Sequence, residues 1–412
     1  VNLCFKKSVH ESYASEPQKE RWVVQGYLFT IFLLTFYAFK FPDHYGLISH
    51  IDASYLLICL ILYCGVIKRT KIPRDYLKFS FIFLCCSIYC ILFSILIGEQ
   101  SLNSFNEFLE GDTYYSRPIY SWATSIISQA IFLCVLPPFF CSIPKRSQIF
   151  ALRIFLFVNA YFAFFQVFSV LDLRLLDFLP VHIGVNTSDG FNLSFGRAVG
   201  LTAAHGAFYY SFGALSALLI LVSLDKLRWF DVVIALFSAL SLSRSAIIAL
   251  IFFILFVMLF KKTRLLNFII VIALISILAW ALFNSSLWEL RMLDDKSGEI
   301  RSGQIGKALE ALFDNPFGIG GQHLYFFDSS LTAILVEYGL IGVIGQILII
   351  YMAYRILKGK FSFIQSSILI FMSIISLALI GSPFAYLPTL FIGMFLYHTS
   401  TQGLGTQIYE VK

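Results

Sequence analysis

The 412-residue chain is 58% hydrophobic and only 13% charged, with 45 Phe and a mean hydropathy of +0.81. A soluble chain of that make-up would aggregate, which excludes water-soluble enzyme and binding folds. The net charge of +6 is therefore a matter of membrane topology before it is a footprint for nucleic acid, and no nucleic-acid partner is expected.

The first 22 residues are polar and charged, without the apolar core of a cleavable secretory signal, so the first apolar stretch is expected to do the targeting. With a crossing taken as about 17 to 25 mainly apolar residues, spans are predicted near 23–40, 52–67, 78–97, 121–141, 148–169, 200–223, 229–243, 245–260, 265–283, 329–354, 362–380 and 384–398. The pair at 229–243 and 245–260 shares one nearly unbroken apolar run around Ser241, Leu242, Ser243, Arg244 and Ser245. That run reads either as two short helices or as one bent element. The expected fold class is thus all-α, a single polytopic membrane domain over 1–412 with about twelve transmembrane helices.

The basic residues fall in alternating loops. Lys68, Arg69, Lys71, Arg74 and Lys78 cluster in one; Lys145, Arg146 and Arg153, then Lys226 and Arg228, then Lys261, Lys262 and Arg264, then Arg355, Lys358 and Lys360 occupy every second loop after it. The positive-inside rule places these loops and both termini in the cytoplasm. The opposite loops lie near 41–51, 98–120, 170–199 and 284–328, with short turns around Arg244 and Ser382. The 284–328 loop is the longest polar stretch. It carries an amphipathic helical piece from Gln304 to Phe313 that ends at Asn315-Pro316, and its apolar residues Ile305, Leu309, Leu312 and Phe313 are expected to pack onto the bundle. Long outward loops over a helical bundle usually cap or line a site.

Arg117, Arg197, Arg244, Arg291 and Arg301 all lie on the outward side. Arg244 is flanked by apolar residues and would cost a few kcal/mol or more facing lipid, so it should face a wet cavity or a partner. A planar guanidinium suits bidentate contact with phosphate oxygens, and several converging on one cavity suit a lipid-linked phosphate or pyrophosphate. The simpler alternative makes each a snorkelling or ion-paired membrane-edge residue, with Asp189, Glu289, Asp294, Asp295 and Glu299 near in sequence. The eight cysteines (Cys4, Cys59, Cys64, Cys85, Cys86, Cys90, Cys134, Cys141) lie mostly inside apolar runs without paired C-x-x-C spacing, and read as small buried hydrophobes.

After the loop helix, Asn315-Pro316 and the glycines Gly318, Gly320 and Gly321 return the chain to the membrane at a fixed point. Asp328 then stands at the first turn of a span, where capping is its simplest role. Gly339 and Gly342 are expected to admit a neighbouring helix. This run resembles the O-antigen ligase and polymerase superfamily. Its members carry an arginine, an amphipathic loop helix, a Pro-x-Gly-x-Gly turn and then His-(Asn/Ser/Gln)-x9-Gly-x-x-Gly. Asp328-Ser329, nine residues, Gly339, two residues and Gly342 keep that spacing. Gly196-Arg197-Ala198-Val199-Gly200 and Ser243-Arg244-Ser245 look like the family's Arg-x-x-Gly and Ser-Arg elements, so that the likeness covers roughly 195–345.

The resemblance implies a glycosyltransferase-C-like helical bundle in the bacterial inner membrane, with 284–328 as the main periplasmic loop and 170–199 as the second. The ligase motif begins with His, its proposed base, whereas this chain has Asp328; the departure favours the polymerase branch. It leaves Asp328, His205 and His323 as candidate catalytic residues, with Arg197, Arg244, Arg291 and Arg301 as candidates for binding pyrophosphate. The substrate implied is an undecaprenyl-pyrophosphate-linked oligosaccharide. Membrane lipids are the surroundings, and a chain-length regulator is a further candidate partner. Transfer from a lipid pyrophosphate to a sugar hydroxyl needs cations for the leaving group and an acceptor for the proton. With no credible Asp-x-Asp pair and no phosphate-binding P-loop, the reaction is expected to need neither metal nor cofactor. The alternatives are an O-antigen ligase that loads lipid A-core, and a lipid-linked oligosaccharide flippase, which should instead spread charged groups through spans of both halves.

Overall fold

A computed structural model describes residues 23–31, 33, 72–97, 126–127, 129–168, 206–238, 249–254, 256–257, 305–306, 308–320, 330–372 and 386–409. Among the described residues the chain is helical, with no strand. The main helices are α1 (Arg74–Ile97), α2 (Leu136–Cys141), α3 (Lys145–Phe168), α4 (Gly206–Ser223), α5 (Trp229–Leu236), α6 (Ser330–Lys358), α7 (Phe363–Ile370) and α8 (Tyr386–Tyr409). Stretches 23–31, 249–254 and 308–314 are also helical.

Three helical stretches are long and apolar enough to cross a membrane: Arg74–Leu96, Lys145–Phe164 and Ala333–Lys358. They coincide with the spans predicted at 78–97, 148–169 and 329–354. Shorter apolar helices at Ile131–Cys141 and Tyr210–Ser223 fall within the spans predicted at 121–141 and 200–223. From Tyr386 onward the predicted span at 384–398 lies in α8, whose helix runs on to Tyr409. At 229–243 the α-helix ends at Leu236 and tightens into a 3₁₀ turn at 237–238. The spans predicted at 52–67 and 265–283 lie outside the described residues.

The layering follows from which helices are apolar all round. On α4 every side chain from Tyr210 to Val222 is buried, and on α8 so is every one from Leu390 to Ser400; such helices belong in the interior. These two pack extensively on each other. Outside them, α1 and α6 pair antiparallel, with Cys86 against Gly345 and the Phe93 ring 6.3 Å from that of Tyr338. Each keeps one apolar flank exposed: Leu77, Phe81, Leu84, Ile88, Leu92 and Ile95 on α1, and Leu340, Ile344, Ile347, Leu348 and Tyr351 on α6. Large apolar side chains left open at helical spacing along a spanning helix are what lipid covers.

Proline chemistry explains one irregularity. Pro137 and Pro138 open α2 and lack the N–H that would close the ladder behind them. The preceding turn, Ile131–Val135, is a π-helix, and the Leu133 carbonyl that Pro137 cannot serve accepts from the Tyr76 hydroxyl of α1.

The basic loops meet at one end of the bundle. Arg153 forks onto Asp231, with Nε 2.8 Å from Oδ1 and a second nitrogen 3.1 Å from Oδ2, and also donates to the Lys226 carbonyl. Lys360 donates to the Ser223 carbonyl and to Asp225. Gln148 uses its amide N–H groups on the Cys141 and Ile143 carbonyls left open by the end of α2. Its Oε1 is thereby the acceptor for His398 Nε2, 2.7 Å away on α8. The Tyr397 ring beside it packs edge-on against Tyr76 near the start of α1. Thus four of the basic segments grouped by sequence share one end: Arg74 to Lys78, Lys145 to Arg153, Lys226 to Arg228, and Arg355 to Lys360.

Candidate functional site

At the opposite end a loop is stitched into a break in α6. Gly339 has φ 56° and ψ −144° inside the helix, a conformation open to glycine and strained for other residues. In an unbroken helix the Val336 carbonyl would accept from Leu340 N–H, and the Glu337 carbonyl from Ile341 N–H. Instead Ile319 N–H donates to the Val336 carbonyl at 3.0 Å, Gly320 N–H to the Glu337 carbonyl at 2.8 Å, and Leu340 N–H to the Pro316 carbonyl at 2.9 Å. Gly318 N–H closes the turn onto Asn315. The loop backbone therefore replaces the missing part of the helix ladder. That is a requirement at membrane depth, where no water serves an open peptide group.

The glycines make this approach feasible. A Cβ on Gly339 would strike the Pro316 carbonyl and come 2.7 Å from Gly318 N; one on Gly318 would lie 2.6 Å from Tyr338 N. The expectation that Gly339 and Gly342 admit a neighbouring helix needs correcting. What Gly339 admits is the Pro316–Gly320 backbone. The space beside Gly342 is taken by Tyr338 and Ile334 of its own helix, brought there by the break.

Glu337 is 8% exposed at this junction, inside the membrane-spanning part of α6. Cys90 of α1 and the buried Tyr338 lie within electrostatic range of its carboxylate. An acid at such depth is costly and is a candidate functional group on physical grounds alone. A carboxylate there can take up a proton from a hydroxyl or fix the hydroxyl's orientation by accepting its hydrogen bond. The sequence signal that marks Glu337 is its position as an acid within an apolar span. That Cys90 lies within electrostatic range of it carried no sequence signal.

Of the residues singled out by sequence, Asp328, His323 and His205, and Arg197, Arg244, Arg291 and Arg301, lie outside the described residues, as does Arg117. The glycine elements that carry the same motif, Pro316-Phe317-Gly318-Ile319-Gly320 and Gly339-Leu340-Ile341-Gly342, are described, and the structure brings the first onto Gly339 of the second. Among the described residues no cluster of three or more His, Cys, Asp or Glu is placed to hold a metal ion.

The loop helix departs from expectation. Its buried residues are Ala308 and Ala311, at 0% and 6% exposure. Ile305, Leu309 and Phe313, expected to pack on the bundle, are 50%, 44% and 83% exposed, and Leu312 is half-buried. The small alanines allow the helix to lie close on the protein and turn its larger residues away.

Fold and junction together define an all-helical, membrane-associated protein with a loop anchored into a broken helix. In comparisons with known proteins, no family model matches the chain and no curated protein matches it significantly.

Proposed function

We propose that this chain is an O-antigen, or similar surface-polysaccharide, polymerase of the bacterial inner membrane. On this reading it is a multi-pass protein of about twelve spans with both termini in the cytoplasm and the 284–328 loop in the periplasm. It takes the growing glycan from undecaprenyl pyrophosphate and joins it to the next lipid-linked repeat unit. The bond from the anomeric carbon to the pyrophosphate oxygen breaks, and a bond from that carbon to an acceptor sugar oxygen forms. The acceptor's proton passes to a base, and undecaprenyl pyrophosphate leaves. Arg197, Arg244, Arg291 and Arg301 would stabilise the charge gathering on the leaving group. Asp328, His205, His323 and the buried Glu337 are the candidates to receive the proton.

The observation that best supports this reading is the pairing of the Pro-x-Gly-x-Gly turn with Gly339. It gives a physical reason for a Pro-x-Gly-x-Gly turn to accompany the glycine at 339, since the turn and Gly339 are halves of one contact. The meeting of four basic segments at the other end supports the orientation.

The test is the surface-polysaccharide ladder of a deletion strain. Loss of a polymerase leaves lipid A-core capped with one repeat unit, and the plasmid-borne gene restores the ladder. Core without any repeat would instead indicate a ligase or a flippase, and an unchanged ladder would remove the proposal.

A further inference from the structure

The helical stretch of the 284–328 loop has three chemically different sides. At about 100° per residue, Ile305, Leu309 and Phe313 form one stripe, all strongly exposed. The acids Glu310 and Asp314, also exposed, form a second. Ala308 and Ala311, both buried, form the third, against the protein. The centres of the three sides are roughly 120° apart.

The exposed apolar stripe is continued by Phe317, 64% exposed, which follows the Pro316 whose carbonyl accepts from Leu340 N–H. Leu340 is itself exposed and begins the open apolar flank of α6 that runs through Ile344, Ile347, Leu348 and Tyr351. The stripe on the loop and the lipid-facing flank of a spanning helix are thus one surface. The junction lies about two turns inside the apolar stretch that starts at Ala333. A helix fixed there presents its large apolar residues to lipid and its carboxylates to water, the arrangement of an interfacial helix.

We infer that the helical residues 305–306 and 308–314, with the turn that follows them, form an interfacial element whose Ile305, Leu309, Phe313 and Phe317 side chains are inserted into the phospholipid bilayer beside α6. The occupant of the apolar face is phospholipid, not another stretch of this chain or a second copy. The inference does not depend on the polymerase reading and holds or fails separately from it.

The test uses the full-length protein with the photoreactive residue p-benzoylphenylalanine in place of Phe313, reconstituted in vesicles of phosphatidylethanolamine and phosphatidylglycerol. Irradiation should yield a phospholipid adduct on the peptide carrying position 313. The same replacement at Glu310, on the carboxylate side, should give at least tenfold less. Leu309 serves as a second apolar position should replacement at 313 prevent folding. A crosslink from 309 or 313 into protein, equal lipid labelling at 310, or no lipid adduct at either apolar position would overturn the inference.

Discussion

Replacing Gly339 by Ala tests the stitched junction. Alanine at φ 56° and ψ −144° is strained by about 1–3 kcal/mol, and its Cβ would strike the Pro316 carbonyl and crowd Gly318 N. Both conflicts are relieved if α6 closes into a regular helix and expels the loop. Opening exchanges the three bonds Ile319 N–H to Val336, Gly320 N–H to Glu337 and Leu340 N–H to Pro316 for the regular ladder bonds of Val336 and Glu337, an exchange that is the same with Gly or Ala at 339. The substitution therefore weakens the junction by the strain and the clash alone, about 1–3 kcal/mol or more, roughly tenfold to a hundredfold in its opening equilibrium. Hydrogen exchange read by mass spectrometry on the protein in lipid nanodiscs should show the amides of Ile319 and Gly320 exchanging about tenfold or more faster. Gly306→Ala is the control, since its Cβ meets nothing within 4 Å and a helical Gly-to-Ala change stabilises by up to about 1 kcal/mol. If Gly339→Ala leaves Ile319 and Gly320 as protected as in the parent protein, the reasoning about the broken helix is wrong.

Arg153→Ala leaves the Asp231 carboxylate, which is 1% exposed, without its guanidinium partner, itself 27% exposed, though the Arg228 N–H still donates to it. The loss should be about 2–3 kcal/mol, below the range for a fully buried pair, and appear as a lower melting temperature in detergent. Arg153→Ala paired with Asp231→Asn should recover part of it. Arg244→Ala is expected to abolish the polymer ladder at normal protein levels, and Arg244→Lys to reduce it, because an ammonium keeps the charge but loses the planar fork; wild-type ladders from both would remove Arg244 from the donor site. Asp328→Asn keeps helix capping and removes the carboxylate, so full polymerisation by that variant would leave Asp328 a cap and move the base to Glu337, His205 or His323. Cysteine at Ser302 should react with a membrane-impermeant thiol reagent applied from the periplasmic side; labelling only after the membrane is opened would invert the topology.

The helices that the structure describes were largely legible in the sequence, because membrane spans are written in long apolar runs. Arg153, Lys226 and Lys360 were grouped by charge alone, and the structure joins them through Asp231, Ser223 and Asp225 at one end. The break at Gly339 was not legible as a break. A glycine within an apolar span reads equally as a close-packing position, and only the φ value and the pairing with Pro316 distinguish the two. The loop helix was misread for a related reason. Its heptad-like apolar residues pointed to a core face, but two alanines form the buried side, and periodicity cannot tell whether an apolar stripe meets protein or lipid. The interior position of α8 was visible only in part, since an apolar span looks alike whether lipid or other helices surround it. The arginines and Asp328 rest on sequence and chemistry alone.

The most direct measurement is polymerisation by the purified protein in proteoliposomes supplied only with undecaprenyl-pyrophosphate-linked repeat units. The account predicts products of two, three and more repeats, still attached to undecaprenyl pyrophosphate, with one undecaprenyl pyrophosphate released for each bond formed and no nucleotide required. Repeat units recovered at their original length, by protein that is folded and retains the protected Ile319 and Gly320 amides, would contradict it.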